Sequence, residues 1–145
     1  MKAITIKQPW ATLIAIGEKQ FETRGWSTKH RGEIAIHAGK RIDKAACEVP
    51  EIKAALARHG YTADNLPTGA VLATATMVFP YQVEEDNGSI AVLSDDSIVQ
   101  GDEIWFGDFS QGRYAWELAD VKQLSEPVPA KGKLSLWEWE GAQPL

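Results

Sequence analysis

The densest group of reactive side chains is Gly17-x-Lys19-x-x-Glu22-x-Arg24. Lysine brings a point charge with three donors, and arginine a planar fork matched to a phosphate or a base edge. A carboxylate between them can orient both, accept a hydrogen bond from a base, or take a proton as a general base. The same spacing also suits a solvated strand tied by salt bridges, which contribute little. Trp26 and the run Lys29-His30-Arg31 follow at once. An aromatic face among cations is what a single-stranded nucleic acid needs, stacking for bases and donors for phosphates. Trp26 fits a core position equally well. His37 precedes Gly39-Lys40-Arg41, where backbone N–H groups and two cations would meet; a lone strand histidine can also be structural. Tyr114 offers a second ring for stacking a base.

The elements that must carry these residues follow from periodicity. Ala3 to Lys7 alternates and reads as a strand. Gln8-Pro9-Trp10 opens a helix, because proline suits a first helical turn, and Gly17 ends it. Lys19 to Arg24 is extended, with Lys19, Phe21 and Thr23 expected on one face and Gln20, Glu22 and Arg24 on the other unless the chain bends. Lys29 to Gly32 is a basic turn, and Glu33 to Ala38 a strand. A helix is expected over 43–59, a buried strand over 70–79, and an acidic, irregular excursion with a short helical piece over 81–101. Strands are expected at 103–106, 113–124 and 134–139, the first two separated by a Gly-rich turn at 107–112. The candidate core is Trp10, Leu13, Ile34, Ile36, Leu72, Val78, Ile104, Trp116, Leu118 and Trp137. Several strands with two early helices point to a mixed β-barrel or α+β domain.

The chain has 145 residues, 44% hydrophobic and 24% charged, which suits one globular domain, residues 1–145. No apolar run reaches the ~20 residues of a membrane span, and the N-terminus has no signal-peptide pattern. One cysteine, Cys47, cannot form an internal disulfide, so a cytoplasmic location is expected. The net charge is −5, yet residues 1–60 carry +5 and residues 61–145 carry −10. Such asymmetry points to an anionic partner on one face, or to two halves that neutralise each other. HExxH, paired CxxC, GxGxxG and Walker patterns are missing, and the histidines at 30, 37 and 59 lack metal-ligand spacing. No metal and no organic cofactor is expected.

Ile6-Lys7-Gln8-Pro9-Trp10-Ala11-Thr12-Leu13, Gly17-x-Lys19-x-x-Glu22-x-Arg24-x-Trp26 and His30-Arg31-Gly32 together resemble the ASCH domain family. Phe106-Gly107-Asp108-Phe109, Gly112 to Leu118, Pro127-Val128-Pro129 and Leu136-Trp137 look like its bacterial and phage-type members. The similarity runs from residue 1 to about residue 139. It implies a PUA-like mixed β-barrel with flanking helices, of α+β class, with RNA or other nucleic acid bound in a cleft beside the GxKxxExR segment. The family also contains a transcription-coactivator domain, ribonucleases and amidohydrolases acting on acetylated cytidine, so membership does not set the reaction. The amidohydrolase branch uses a lysine, a threonine three positions later and a glutamate on a central strand. Here Lys19 matches, Glu22 stands at the threonine position, and 71–76 carries no acid.

Two functions of different class follow. In a binding module, Lys19, Arg24, Arg31, Lys40 and Arg41 hold phosphates, Trp26 or Tyr114 stacks a base, Glu22 reads a base edge, and His37 or Tyr114 stands on the cleft wall. Its partner is RNA, single-stranded nucleic acid or a nucleotide or nucleoside. In a hydrolase acting on RNA or on a modified nucleoside, Lys19 stabilises negative charge and Glu22 is the general base. A protein-interaction domain using exposed tryptophans is a third reading.

Overall fold

The computed structural model describes residues 1–141. In chain order the elements are β1 (Lys2–Gln8), α1 (Trp10–Ala15), β2 (Phe21–Arg24), β3 (Gly32–Ile42), α2 (Lys44–Cys47), α3 (Pro50–Ala57), β4 (Ala70–Asp86), β5 (Ala91–Leu93) and β6 (Ile98–Val99). A 3-10 helix, Gly101–Phe106, precedes β7 (Tyr114–Pro129) and β8 (Leu136–Glu138). One eight-stranded mixed sheet runs β2-β7-β4-β3-β1-β8, with the β5–β6 hairpin attached to β4. Only β1 and β3 pair in parallel among the described strands. The α+β class holds. The expected barrel is an open sheet, because among the described residues the two end strands, β2 and β8, do not pair with each other. Three register shifts between β4 and β7 interrupt the ladder, and such bulges bend and twist the strand that carries them.

Two apolar layers explain the strand sequences. Ile4, Ile6, Ile34, Ile36 and Ala38 pack with α1 and Trp116 on one face of the sheet. Ala3, Ala35, Val71 and Trp137 form a smaller cluster, alternate residues of β1 and β3 facing the opposite way. α1 is buried along its whole inner length, from Ala11 to Ala15. The buried Gln8 holds its start: its Oε1 accepts the Thr12 N–H at 2.9 Å, and its Nε2 donates to Pro67 O at 2.7 Å. No described helix is long and apolar enough to cross a membrane.

Several local expectations are corrected. The helix over 43–59 is broken into α2 and α3, since Val49 precedes Pro50 and is extended, the conformation proline imposes on the residue before it. Asp43 caps α2, accepting the Ala46 N–H at 3.0 Å. The excursion over 81–101 contains no helix up to Gln100. β4 runs on to Asp86, and Val83, Ala91, Leu93 and Val99 close a third cluster over Phe109. The strand over 103–106 is the 3-10 helix. Of the candidate core, Val78 is exposed, and Trp10 and Ile104 are half-buried. The other seven are buried.

Candidate functional site

One end of the sheet opens into a cleft of about 830 Å³. Thr5, Ile6 and Lys7 of β1, Glu22 to Arg24 of β2 and Gly39 to Arg41 at the end of β3 supply strand walls. Trp10, the segment Trp105–Asp108, Arg113 and the loop Lys133–Ser135 complete it.

The floor is built from the Lys19–Arg24 segment. Gly17 adopts φ +83°, a left-handed turn that glycine enters without steric cost. The chain reverses there, and the Glu18 and Lys19 N–H groups both donate to Leu13 O. Lys19 is thereby turned inward and is only 1% exposed. Its Nζ donates to Phe106 O at 2.5 Å. Gly107 lies over that amine, where a Cβ would come within 3.2 Å of Nζ and 3.0 Å of Thr23 Oγ1. Burial lowers the Lys19 pKa below its ordinary value, against the opposing pull of the Glu22 and Glu103 carboxylates. Glu103 stands behind, accepting the Gln20 N–H at 3.0 Å. Its own pKa is raised by burial, and Lys19 draws it back. Positions i and i+3 eclipse on a 3-10 helix, which brings Glu103 and Phe106 to the same segment.

Glu22 and Arg24, two apart on β2, share a strand face. Arg24 Nε donates to Glu22 Oε2 at 2.8 Å, and Arg24 Nη2 donates to Thr5 O at 2.8 Å. Lys19 lies before β2 begins and escapes the expected alternation, so Lys19, Glu22 and Arg24 line one concave site. Lys40 and Arg41 join them.

The structure does not bring the other candidates into this cleft. Trp26 packs edge-on against Trp116, with ring centroids 4.9 Å apart, and its carbonyl accepts the Trp116 indole N–H. Arg31 lies at the opposite end of β3 from Lys40 and Arg41; its guanidinium sits 4.5 Å over the Phe79 ring. Tyr114 is half-buried where β7 pairs with both Arg24 and Gln82. His37 is 2% exposed and lies within the wall rather than on it. The expectation of His37 or Tyr114 on the cleft lining is corrected, because the smaller apolar cluster covers the His37 face of β3.

The His37 contacts define which nitrogen of the neutral ring carries the hydrogen. Nε2 is 2.7 Å from Ala130 O, which only accepts, so Nε2 carries a hydrogen. In the neutral ring Nδ1 then accepts from Thr5 Oγ1 at 3.1 Å. Thr5 Oγ1 in turn accepts the Trp137 indole N–H at 3.1 Å. This chain of bonds ties the loop after β7 to the floor, since the Thr5 carbonyl also holds Arg24.

Cleft residues that the sequence did not mark as site candidates are Lys7, Trp10, Trp105, Asp108, Arg113 and Lys133. Trp10 carried a signal, helical spacing, that marked it for the core. Arg113 and Lys133 come from the acidic half of the chain and are scattered singly there. With them, seven Lys and Arg side chains face the cleft against two carboxylates, Glu22 and Asp108. The cleft is therefore positive by five charges in a chain whose net charge is −5.

Comparison with known proteins bears on the family of the chain. Activating signal cointegrator 1 of Mus musculus is 32% identical over 104 residues, which cover 66% of this chain and 18% of that protein. The chain thus spans less than a fifth of the length of this curated relative. The model of the ASCH domain matches residues 4–128, from β1 to the end of β7 and through the whole Lys19–Arg24 floor. The chain belongs to the ASCH domain family.

Proposed function

We propose that the cleft holds RNA, or a single-stranded or nucleotide piece of nucleic acid, through its phosphates. One observation carries this reading: seven of the chain's fifteen Lys and Arg line one cavity beside only two carboxylates. Clustered charge of one sign in a concave site focuses the field and attracts the opposite charge even when the whole chain is acidic. Lys40, Arg41, Arg113 and Lys133 are the phosphate-holding candidates, with Arg24 deeper and Lys7 at the edge. The family resemblance implies the same class of ligand.

The test is anisotropy of a labelled single-stranded RNA over a salt series. Each phosphate contact contributes a log–log slope of about −0.7. With two to four contacts engaged, the expected slope is roughly −1.4 to −2.8. A binding constant indifferent to salt, or no binding at low salt, refutes the reading.

A hydrolase is the second reading, favoured by one observation: Lys19 is a buried amine of lowered pKa with the Glu22 carboxylate beside it on a cleft floor. Perturbed titratable groups in clefts are candidates for chemistry. Incubation with single-stranded RNA and with acylated nucleosides, followed by product analysis, tests it. Absence of product from both classes refutes it.

A further inference from the structure

The charges of the cleft are layered rather than mixed. Lys19 and Arg24 make the floor positive, but Glu22 lies between them and Glu103 behind Lys19. These four cancel in formal charge. Their bonds are also largely committed: Lys19 Nζ to Phe106 O, Arg24 Nε to Glu22, and Arg24 Nη2 to Thr5 O. What the floor leaves free is a carboxylate oxygen of Glu22 and the Nη1 edge of Arg24, neither of which meets a partner among the described residues. The rim differs. Lys7, Lys40, Arg41 and Lys133 are exposed and Arg113 is half-buried, with Asp108 as their one carboxylate. Arg113 leans on that carboxylate at 3.4 Å. Trp105 is 54% exposed and Leu134 is 93% exposed, two large apolar side chains left in water at the mouth.

From this layering we infer that the cleft takes an unpaired nucleotide base-first, with the base edge on Glu22 and Arg24 and the phosphate outside on the rim cations. The inference rests on the nucleic-acid reading and adds an orientation, a strandedness and a stacking residue. A phosphate at the floor would stand against the Glu22 carboxylate, and like charges at short range repel. A base is uncharged, and its Watson–Crick edge sets an N–H donor beside an acceptor. Glu22 takes the donor and Arg24 serves the acceptor. In a duplex that edge is already paired, so a paired base cannot make these bonds. Trp105 supplies a ring face against which the base or its neighbour stacks, which is insensitive to sequence. The cavity, at about 830 Å³, has the size of a small-ligand site rather than of a long track.

The experiment compares the full chain's affinity for three RNAs of equal length: a mixed-sequence single strand, the same strand with every base removed, and the duplex. The intact strand should bind tightest, roughly 5- to 150-fold above the abasic one, the range that one stacked base supplies. Trp105→Ala should pull the intact strand toward the abasic value and leave abasic binding unchanged. Glu22→Gln should alter the ranking of the four homopolymers without altering the salt slope. Equal affinity for intact and abasic strands, or tighter binding of the duplex, overturns the base-first orientation while the phosphate-binding reading stands. If none of the three binds, both fall. Trp105 is on the surface, so its variant reads the proposal even if Glu22→Gln does not fold.

Discussion

Gly132 sits over the Thr5–His37 pair with no room for a methyl group. A Cβ there would lie 2.7 Å from Thr5 Oγ1 and 2.8 Å from His37 Cε1. Real Cβ contacts essentially never come that close, so Gly132→Ala must move something. Gly132 has no left-handed φ, so alanine adds no backbone strain of its own and the effect is steric. His37 cannot yield cheaply, being pinned at both ring nitrogens and packed edge-on against Trp137 at 5.3 Å. Lifting the loop after β7 breaks the Ala130 bond instead. Overpacking of this kind costs about 1–3 kcal/mol. For a chain of this size that lowers Tm by roughly 2–12 °C. Thermal unfolding followed by circular dichroism measures it. The lifted loop carries Lys133, Leu134 and Ser135, which line the cleft, so RNA affinity should fall in the same variant. In the double variant with His37→Ala, the cost should be less than the sum of the two single costs, because the His37 part of the clash is removed and only that with Thr5 Oγ1 stays. Gly107→Ala is the internal comparison. Its nearest atoms stand at 3.0–3.2 Å and belong to the Thr23 and Lys19 side chains, so its cost should be smaller. A Gly132→Ala protein with unchanged Tm and unchanged affinity, or strictly additive costs in the double variant, would refute the steric contact of Gly132 with Thr5 and His37.

Arg41→Ala should flatten the salt slope of RNA binding by about 0.7. Arg31→Ala, at the far end of β3, should leave that slope alone; an equal effect of the two would place the interface elsewhere. Burial lowers the Lys19 pKa below 10.5, so between the lowered value and 10.5 the unfolded chain holds a proton that the folded chain has lost. Stability therefore rises with pH in that window, and the stability of wild type minus that of Lys19→Met should climb on denaturant titration there; a flat difference refutes it. Glu103 has the opposite sign, because burial raises its pKa above 4.5. The folded chain keeps that proton longer, so wild type should lose stability relative to Glu103→Gln as pH climbs from 4.5 through the raised value. Removing the α2 cap with Asp43→Ala should cost about 1 kcal/mol in urea unfolding; no change would remove Asp43 as a cap.

The local sequence determined the floor of the cleft. Lys19, Glu22 and Arg24 fall within six residues after a glycine-ended helix, and a chain that short cannot carry them far apart. β1, the two early glycine and proline signals, and the apolar stretches of β3 and β4 were likewise legible, because their periodicity is a property of consecutive residues. Pro50 carried the α2–α3 break in plain view, and the uninterrupted helix over 43–59 overlooked it. Tertiary structure decided the rest. Arg31 and Lys40 look like one basic patch in the sequence, yet an extended strand rises about 3.3 Å per residue, which puts them about 30 Å apart. His37 sits among cations in the sequence, but the alternation of β3 turns it to the face that Trp137 covers, a packing partner one hundred residues away. The 3-10 helix replaced the expected strand at 103–106, where the Glu103 carboxylate meets the Gln20 and Phe21 N–H groups. Net charge shows the limit most directly. Its sum of −5 is the same for any fold of this chain. The positive cleft exists because the sheet order and the loop after β7 carry Arg113 and Lys133 out of the acidic half to Lys40 and Arg41, and charges act through distance in space, not along the chain.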